Sequence, residues 1–126
     1  MSAVDERARS FFDAYGRGDL DAVRSALDPE LVSYVTNDAG GADVVRGRDA
    51  YMDRLPDLHA AGGSMAVTQV LAVDDRWALA MVEIRAERDG RGLHNHAGFL
   101  LELSDSGIAR MWMVDALPAY SAEFWS

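Results

Sequence analysis

Three apolar runs fill the C-terminal half of this chain: Trp77–Arg88, residues 93–103 and residues 108–115. The first two are joined by Asp89-Gly90 and the last two by Ser104-Asp105-Ser106-Gly107. Asp-Gly between apolar runs is a hairpin signal, because a two-residue type I′ turn needs positive φ at both positions and these residues tolerate it. The region is therefore expected to be an antiparallel meander of three strands. Everything upstream has to pack against it.

Turn lengths fix which side chains meet. With Asp89-Gly90 as a two-residue turn, Arg88 faces Arg91, Arg85 faces His94 and Glu83 faces His96. With residues 104–107 as a four-residue loop, Leu103 faces Ile108 and His96 faces Asp115. Opposed residues share a face of the sheet, so Glu83, His96 and Asp115 are expected in one row across three strands. Met81, Gly98 and Met113 follow, then Leu79, Leu100 and Met111. The opposite face would carry Ala78, Ala80, Val82, Phe99, Leu101, Trp112 and Val114. A slip of one residue would send a whole strand's set to the other face.

The acid–His–acid row points to proton transfer. A carboxylate beside an imidazole holds one tautomer and raises its proton affinity, which suits acid–base work near neutral pH. His96 is thus the expected acid or acid–base, Asp115 its orienting partner and Glu83 a secondary carboxylate. The plainer reading of the same residues is a solvated ion pair at a strand end. His94, opposite Arg85 and nearer the turn, is expected closer to solvent. His94-x-His96 on a strand also presents two rings to one side. No metal site is expected, because His59 is distant in sequence, Glu102 lies too far along the strand and no histidine follows.

Upstream, Val4, Ala8, Phe11, Phe12 and Tyr15 recur at three- and four-residue spacings, which predicts a helix over residues 3–16. Asp19 is a suitable N-cap for a second helix burying Leu20, Val23 and Leu27, which Asp28-Pro29 should stop. Residues 31–36 read as a strand, Ala42–Arg46 as a short extended piece, and Gly47-Arg48-Asp49 as the start of a third helix ended by Pro56. Residues 64–73 read as a strand, and Phe124-Trp125 should dock the tail onto the body. Helices first and antiparallel strands afterwards means α+β, with helices on one face of the sheet. The last strands are apolar on both faces, so the face without helices is expected to be covered by a second copy in a homodimer.

The 126 residues form a single domain with no linker or repeat, long enough to bury a core. A net charge of −9 argues against nucleic acid or anionic membrane partners. The absence of cysteine excludes disulfide and thiolate chemistry. The opening MSAVDERARS lacks a signal peptide's apolar core, and no run has membrane-spanning length, so a cytoplasmic protein is expected.

Taken in order, Phe11-Phe12-Asp13-Ala14-Tyr15, Gly18-Asp19-Leu20-Asp21-Ala22-Val23, Gly47-Arg48-Asp49-Ala50, residues 107–112 and Glu123-Phe124-Trp125 make the chain similar to the SnoaL-like branch of the nuclear-transport-factor-2-like superfamily. That resemblance implies a cone of curved antiparallel sheet closed by three helices around a deep pocket, commonly dimeric through the sheet's outer face. It also implies what is missing. The slots of the ketosteroid isomerase tyrosine, aspartate base and aspartic acid hold Phe11, Val35 and Gly98, so that activity is not expected. The Arg-x-Asp pair of limonene epoxide hydrolases has no arginine counterpart beside His94-Asn95-His96. The Asp/His set of SnoaL-type cyclases finds its nearest match in His96 and Asp115.

Two functions are expected from these residues. One is an enzyme without a cofactor acting on a small, apolar, oxygenated molecule: a cyclase, isomerase, hydratase or epoxide hydrolase. Its pocket would be lined by Phe11, Tyr15, Tyr34, Val35, Tyr51, Met81, His94, Gly98, Met111 and Met113, with methionines as adaptable apolar lining. The other is a non-catalytic ligand-binding or dimeric interaction module on the same fold.

Overall fold

The computed structural model describes residues 3–56 and 58–126. Its elements are α1 (Ala3–Arg17), α2 (Leu20–Ser25), β1 (Leu27–Thr36), β2 (Ala42–Arg46), α3 (Arg48–Arg54), β3 (Ser64–Ala72), β4 (Trp77–Arg88), β5 (Arg91–Ser104), β6 (Gly107–Asp115) and α4 (Pro118–Trp125). The strands form one curved, unclosed sheet in the order β2-β1-β6-β5-β4-β3. The architecture is the expected α+β cone. In topology it differs in that β1 pairs with β6 in parallel, the other neighbours being antiparallel, and in that the tail forms a fourth helix. Pro118 in its first turn, where a missing N–H costs nothing, starts that helix.

Local chemistry explains the boundaries. α1 buries the stripe Val4, Ala8, Phe11, Phe12 and Tyr15 against the sheet, lying across β3 and β4. Asp19 caps α2 by accepting from Ala22 N at 3.1 Å. β1 begins earlier than expected, at Leu27, and carries Pro29 within a register irregularity between Leu27 and Val32, where a missing N–H breaks no regular ladder. No helix among the described residues is long and apolar enough to cross a membrane.

The β4–β5 hairpin has the expected register, with Arg88 opposite Arg91, Arg85 opposite His94 and Glu83 opposite His96. Asp89 and Gly90 both have positive φ, 53° and 76°. β6 departs from expectation. Leu103 faces Ile108 as expected, but Glu102 faces Arg110, so a bulge takes up Ala109 and every later position moves by one. Asp115 therefore lies opposite Ala97 and not opposite His96. The bulge is held from both sides. Gly107, at φ 130°, rests so closely on the β1 backbone that a Cβ there would sit 2.7 Å from Ala26 O and Asp28 N. Beyond it, Arg110 grips Glu102 with two hydrogen bonds, Nε–Oε1 at 2.7 Å and Nη2–Oε2 at 2.9 Å.

The slip sorts the sheet into two faces. The concave face carries Leu93, Asn95, Ala97, Phe99 and Leu101 of β5 with Met111, Met113 and Asp115 of β6. The convex face carries Glu83, His94, His96 and Gly98, with Trp112 and Val114 beside them and not opposite as expected. There Tyr34 stacks on Trp112 (5.0 Å, 11°), and the Arg110 guanidinium lies 5.7 Å from the Trp77 ring and 5.6 Å from the Trp112 ring.

Candidate functional site

The concave face, α1, α3 and α4 enclose a cavity of about 830 Å³. Its wall is mainly apolar, with Phe11, Phe12, Phe99, Leu93, Met65, Met113 and Trp125 among its residues. Polar and charged side chains, Asn37, Asp43, Arg54, Arg88, Asn95 and Asp115 among them, interrupt it. Asn95, 3% exposed, donates from Nδ2 to Asp115 Oδ1 at 2.6 Å and accepts from His96 N at 2.8 Å through its own Oδ1. Asp115 Oδ1 also accepts from Leu117 N at 2.8 Å, the first turn of chain leading into α4. These bonds fix the orientation of both side chains and leave Asp115 Oδ2 outside them.

A second polar group sits where β2 and α3 meet the cavity. Asp43 accepts from Asn37 Nδ2 at 3.0 Å and from Arg54 Nη2 at 2.7 Å. The hydrogen bond from Asn37, then that from Arg54, holds its carboxyl below the usual carboxylate range. Asp43 is thus an anion with its charge balanced in place. Tyr15 Oη donates to Pro56 O at 2.7 Å and ties α1 to the end of the α3 segment. Tyr51 is 6% exposed, and burial pushes its phenol well up, so it stays a neutral O–H donor at physiological pH.

The expected site residues divide between the two faces. Phe11, Tyr15, Val35, Tyr51, Met113 and Asp115 line the cavity. Met111 is on the same face but fully buried in the core, without reaching the cavity wall. Glu83, His94, His96, Met81, Gly98 and Tyr34 lie on the convex face, away from the cavity, as the pairing of β1, β4, β5 and β6 dictates. The expected His96–Asp115 pair does not exist, because the bulge at Ala109 turns Asp115 inward while His96 stays outward. Glu83 instead meets the histidines. Its Oε2 lies 2.8 Å from His94 Nε2 and 3.6 Å from His96 Nε2. The hydrogen bond to His94 is the largest influence holding the Glu83 carboxyl below its usual range.

Asn95, Asp43, Arg54 and Trp125 were not anticipated in the site. Asn95 was legible in principle. Leu93, Ala97, Phe99 and Leu101 alternate inward, and Asn95 is the polar residue in that series, so its side chain has to find a buried partner. Asp43 and Arg54 are brought together by the α3 turn, which no local pattern announces.

A family model described as "SnoaL-like domain" matches residues 8–111. The uncharacterized protein Rv0034 of Mycobacterium tuberculosis is 32% identical over 121 residues, covering 94% of this chain and 92% of that protein. Among solved structures, Bal32a from a soil-derived mobile gene cassette superposes with a TM-score of 0.80 at 19% identity, over 96% of this chain and 95% of that one. A provisionally assigned SnoaL-like polyketide cyclase of Jannaschia sp. CCS1 does so with a TM-score of 0.74 at 17% identity, over 97% and 94%. These two share the fold of this chain.

Proposed function

The chain belongs to the SnoaL-like family, and from that premise we propose that its cavity binds a small, largely apolar, oxygenated molecule on which Asp115 moves a proton. The observation that carries the reading is the Asn95–Asp115 hydrogen bond of 2.6 Å set into a mainly apolar wall. A cavity of 830 Å³ falls in the size range that holds a drug-sized ligand.

The roles follow from the bonds. Asn95 and Leu117 N occupy one Asp115 oxygen, which orients the carboxylate and leaves the other to take a proton from carbon or oxygen of the ligand. As that proton leaves, negative charge develops on a ligand oxygen. The neutral Tyr51 hydroxyl, lining the same cavity, is the donor suited to meet it. Cyclisation and isomerisation through an enolate, hydration, and epoxide opening all draw on this pairing of a base and a neutral donor. The test is a mass- and NMR-resolved screen of enolisable ketones and epoxides, with Asp115→Asn as comparator. Turnover in the native protein that the variant loses supports the reading; turnover that survives the substitution overturns it. Saturable binding with no product, equal in both proteins, identifies the non-catalytic binding module, a reading favoured by the aromatic, aliphatic and methionine side chains that make up most of the wall.

We also propose that the convex face is covered by a second copy of the chain. Val44, Leu71 and Val114 are 49%, 61% and 64% exposed there, with Leu79 and Met81 beside them, and such an apolar face is costly to leave in water. Sedimentation equilibrium at tens of micromolar should give a dimer that Val114→Asp dissociates. A monomeric native protein contradicts this.

A further inference from the structure

Glu83, His94 and His96 converge on the convex face, apart from the cavity. We propose that these three side chains bind a single divalent cation of the zinc class. One ligand atom from each lies within 4.8 Å of the others. The two histidines stand two residues apart on β5 and so project from one face, while Glu83 is the direct cross-strand partner of His96 on β4. The three Cα positions are thereby set by the longest hairpin of the sheet and not by a loop.

The distances suit an ion. Zinc takes imidazole nitrogen and carboxylate oxygen at about 2.0–2.2 Å, which puts neighbouring ligand atoms on a tetrahedral centre roughly 3.4 Å apart. The two measured separations to Glu83 Oε2, 2.8 and 3.6 Å, lie on either side of that value. Both imidazoles turn Nε2 toward one carboxylate oxygen. In the single chain the histidine side chains are 48% and 53% exposed, so the ion reaches them from solvent before a second copy covers the face. Two nitrogens and one oxygen select a borderline first-row cation over magnesium or calcium, and three protein ligands leave a further position for water.

The main competitor is Arg85, whose Nη2 lies 3.4 Å from the same Glu83 oxygen. It is 58% exposed and can swing into solvent. This gives the proposal an arm of opposite sign, because removing Arg85 should strengthen binding while removing a ligand weakens it.

The experiment is a titration of the metal-free full-length protein with Co²⁺, read by its visible absorption, and with Zn²⁺, read by calorimetry, at pH 7.5. One equivalent should bind with a Kd of about 10 μM or tighter. His94→Ala, His96→Ala and Glu83→Gln should each weaken binding by about 10-fold or more. Arg85→Gln should tighten it. His59→Ala, which removes the one histidine outside the cluster, should leave it unchanged. Because the substituted side chains lie on the surface, an unchanged thermal midpoint without metal checks that each variant is folded. Absence of one-to-one binding below about 100 μM overturns the proposal. So does binding that survives loss of His94 and His96, or that His59→Ala abolishes.

Discussion

Replacing Asp115 with asparagine is expected to lower turnover by about 10²–10⁴-fold, the usual contribution of a positioned acid or base. The substitution is close to isosteric and keeps an oxygen in place to accept from Asn95 Nδ2 and Leu117 N. What it removes is the negative charge and the free oxygen that takes the proton. The loss should therefore fall on kcat, with KM little changed, and the thermal midpoint should move by only a few degrees. Steady-state kinetics on any substrate found in the screen, with a melting curve on the same samples, checks this. An equal rise in KM with kcat intact would recast Asp115 as a binding group.

The second large effect is on the fold that builds the cavity. Phe12 is 1% exposed, with its ring 5.0 Å from Phe11 and 4.9 Å from Phe99. It is the point where α1 meets the concave face of β5. Phe12→Ala removes a buried ring from between a helix and a sheet, neither of which collapses readily into the space. A loss of about 3–5 kcal/mol is expected. Against a typical stability of about 5–15 kcal/mol, that lowers the thermal midpoint by roughly 10 °C or more. Leu20→Ala, at a residue 41% exposed, is the control and should change stability by less than about 1 kcal/mol. Urea denaturation of both variants measures the difference. A Phe12 loss as small as the control's would mean that α1 is not seated as described.

Much of the fold was legible because its signals are local. Asp89-Gly90 set one hairpin to the residue, the stripe of Val4, Ala8, Phe11, Phe12 and Tyr15 set α1, and Asp19 set the start of α2. The site was less legible because it depends on one bulge. β6 reads Met111-Trp112-Met113-Val114, apolar at every position, so alternation gives no sign of which residues point inward. The turn at residues 104–107 pairs as expected and then loses register at Ala109, just before that apolar stretch begins. The signal lay in the charges. Glu102 opposite Arg110 makes a bidentate pair only in the slipped register, and the same register gives Asn95 its partner in Asp115. A row read as Glu83, His96 and Asp115 thus separates into an outer cluster and an inner pair. The tail helix was missed for a different reason: residues 118–125 are apolar nearly all round and show little amphipathic pattern.

The most direct test of the inward-facing site uses the methionine methyl groups. Met65 and Met113 line the cavity, whereas Met81 is 37% exposed on the convex face. Protein labelled with ¹³C at the methionine methyls and titrated with a bicyclic aryl ketone such as 1-tetralone should show saturable shifts at Met65 and Met113. Met81 should stay fixed. Saturable shifts at Met81 with Met65 and Met113 unmoved would place binding on the convex face and contradict the account.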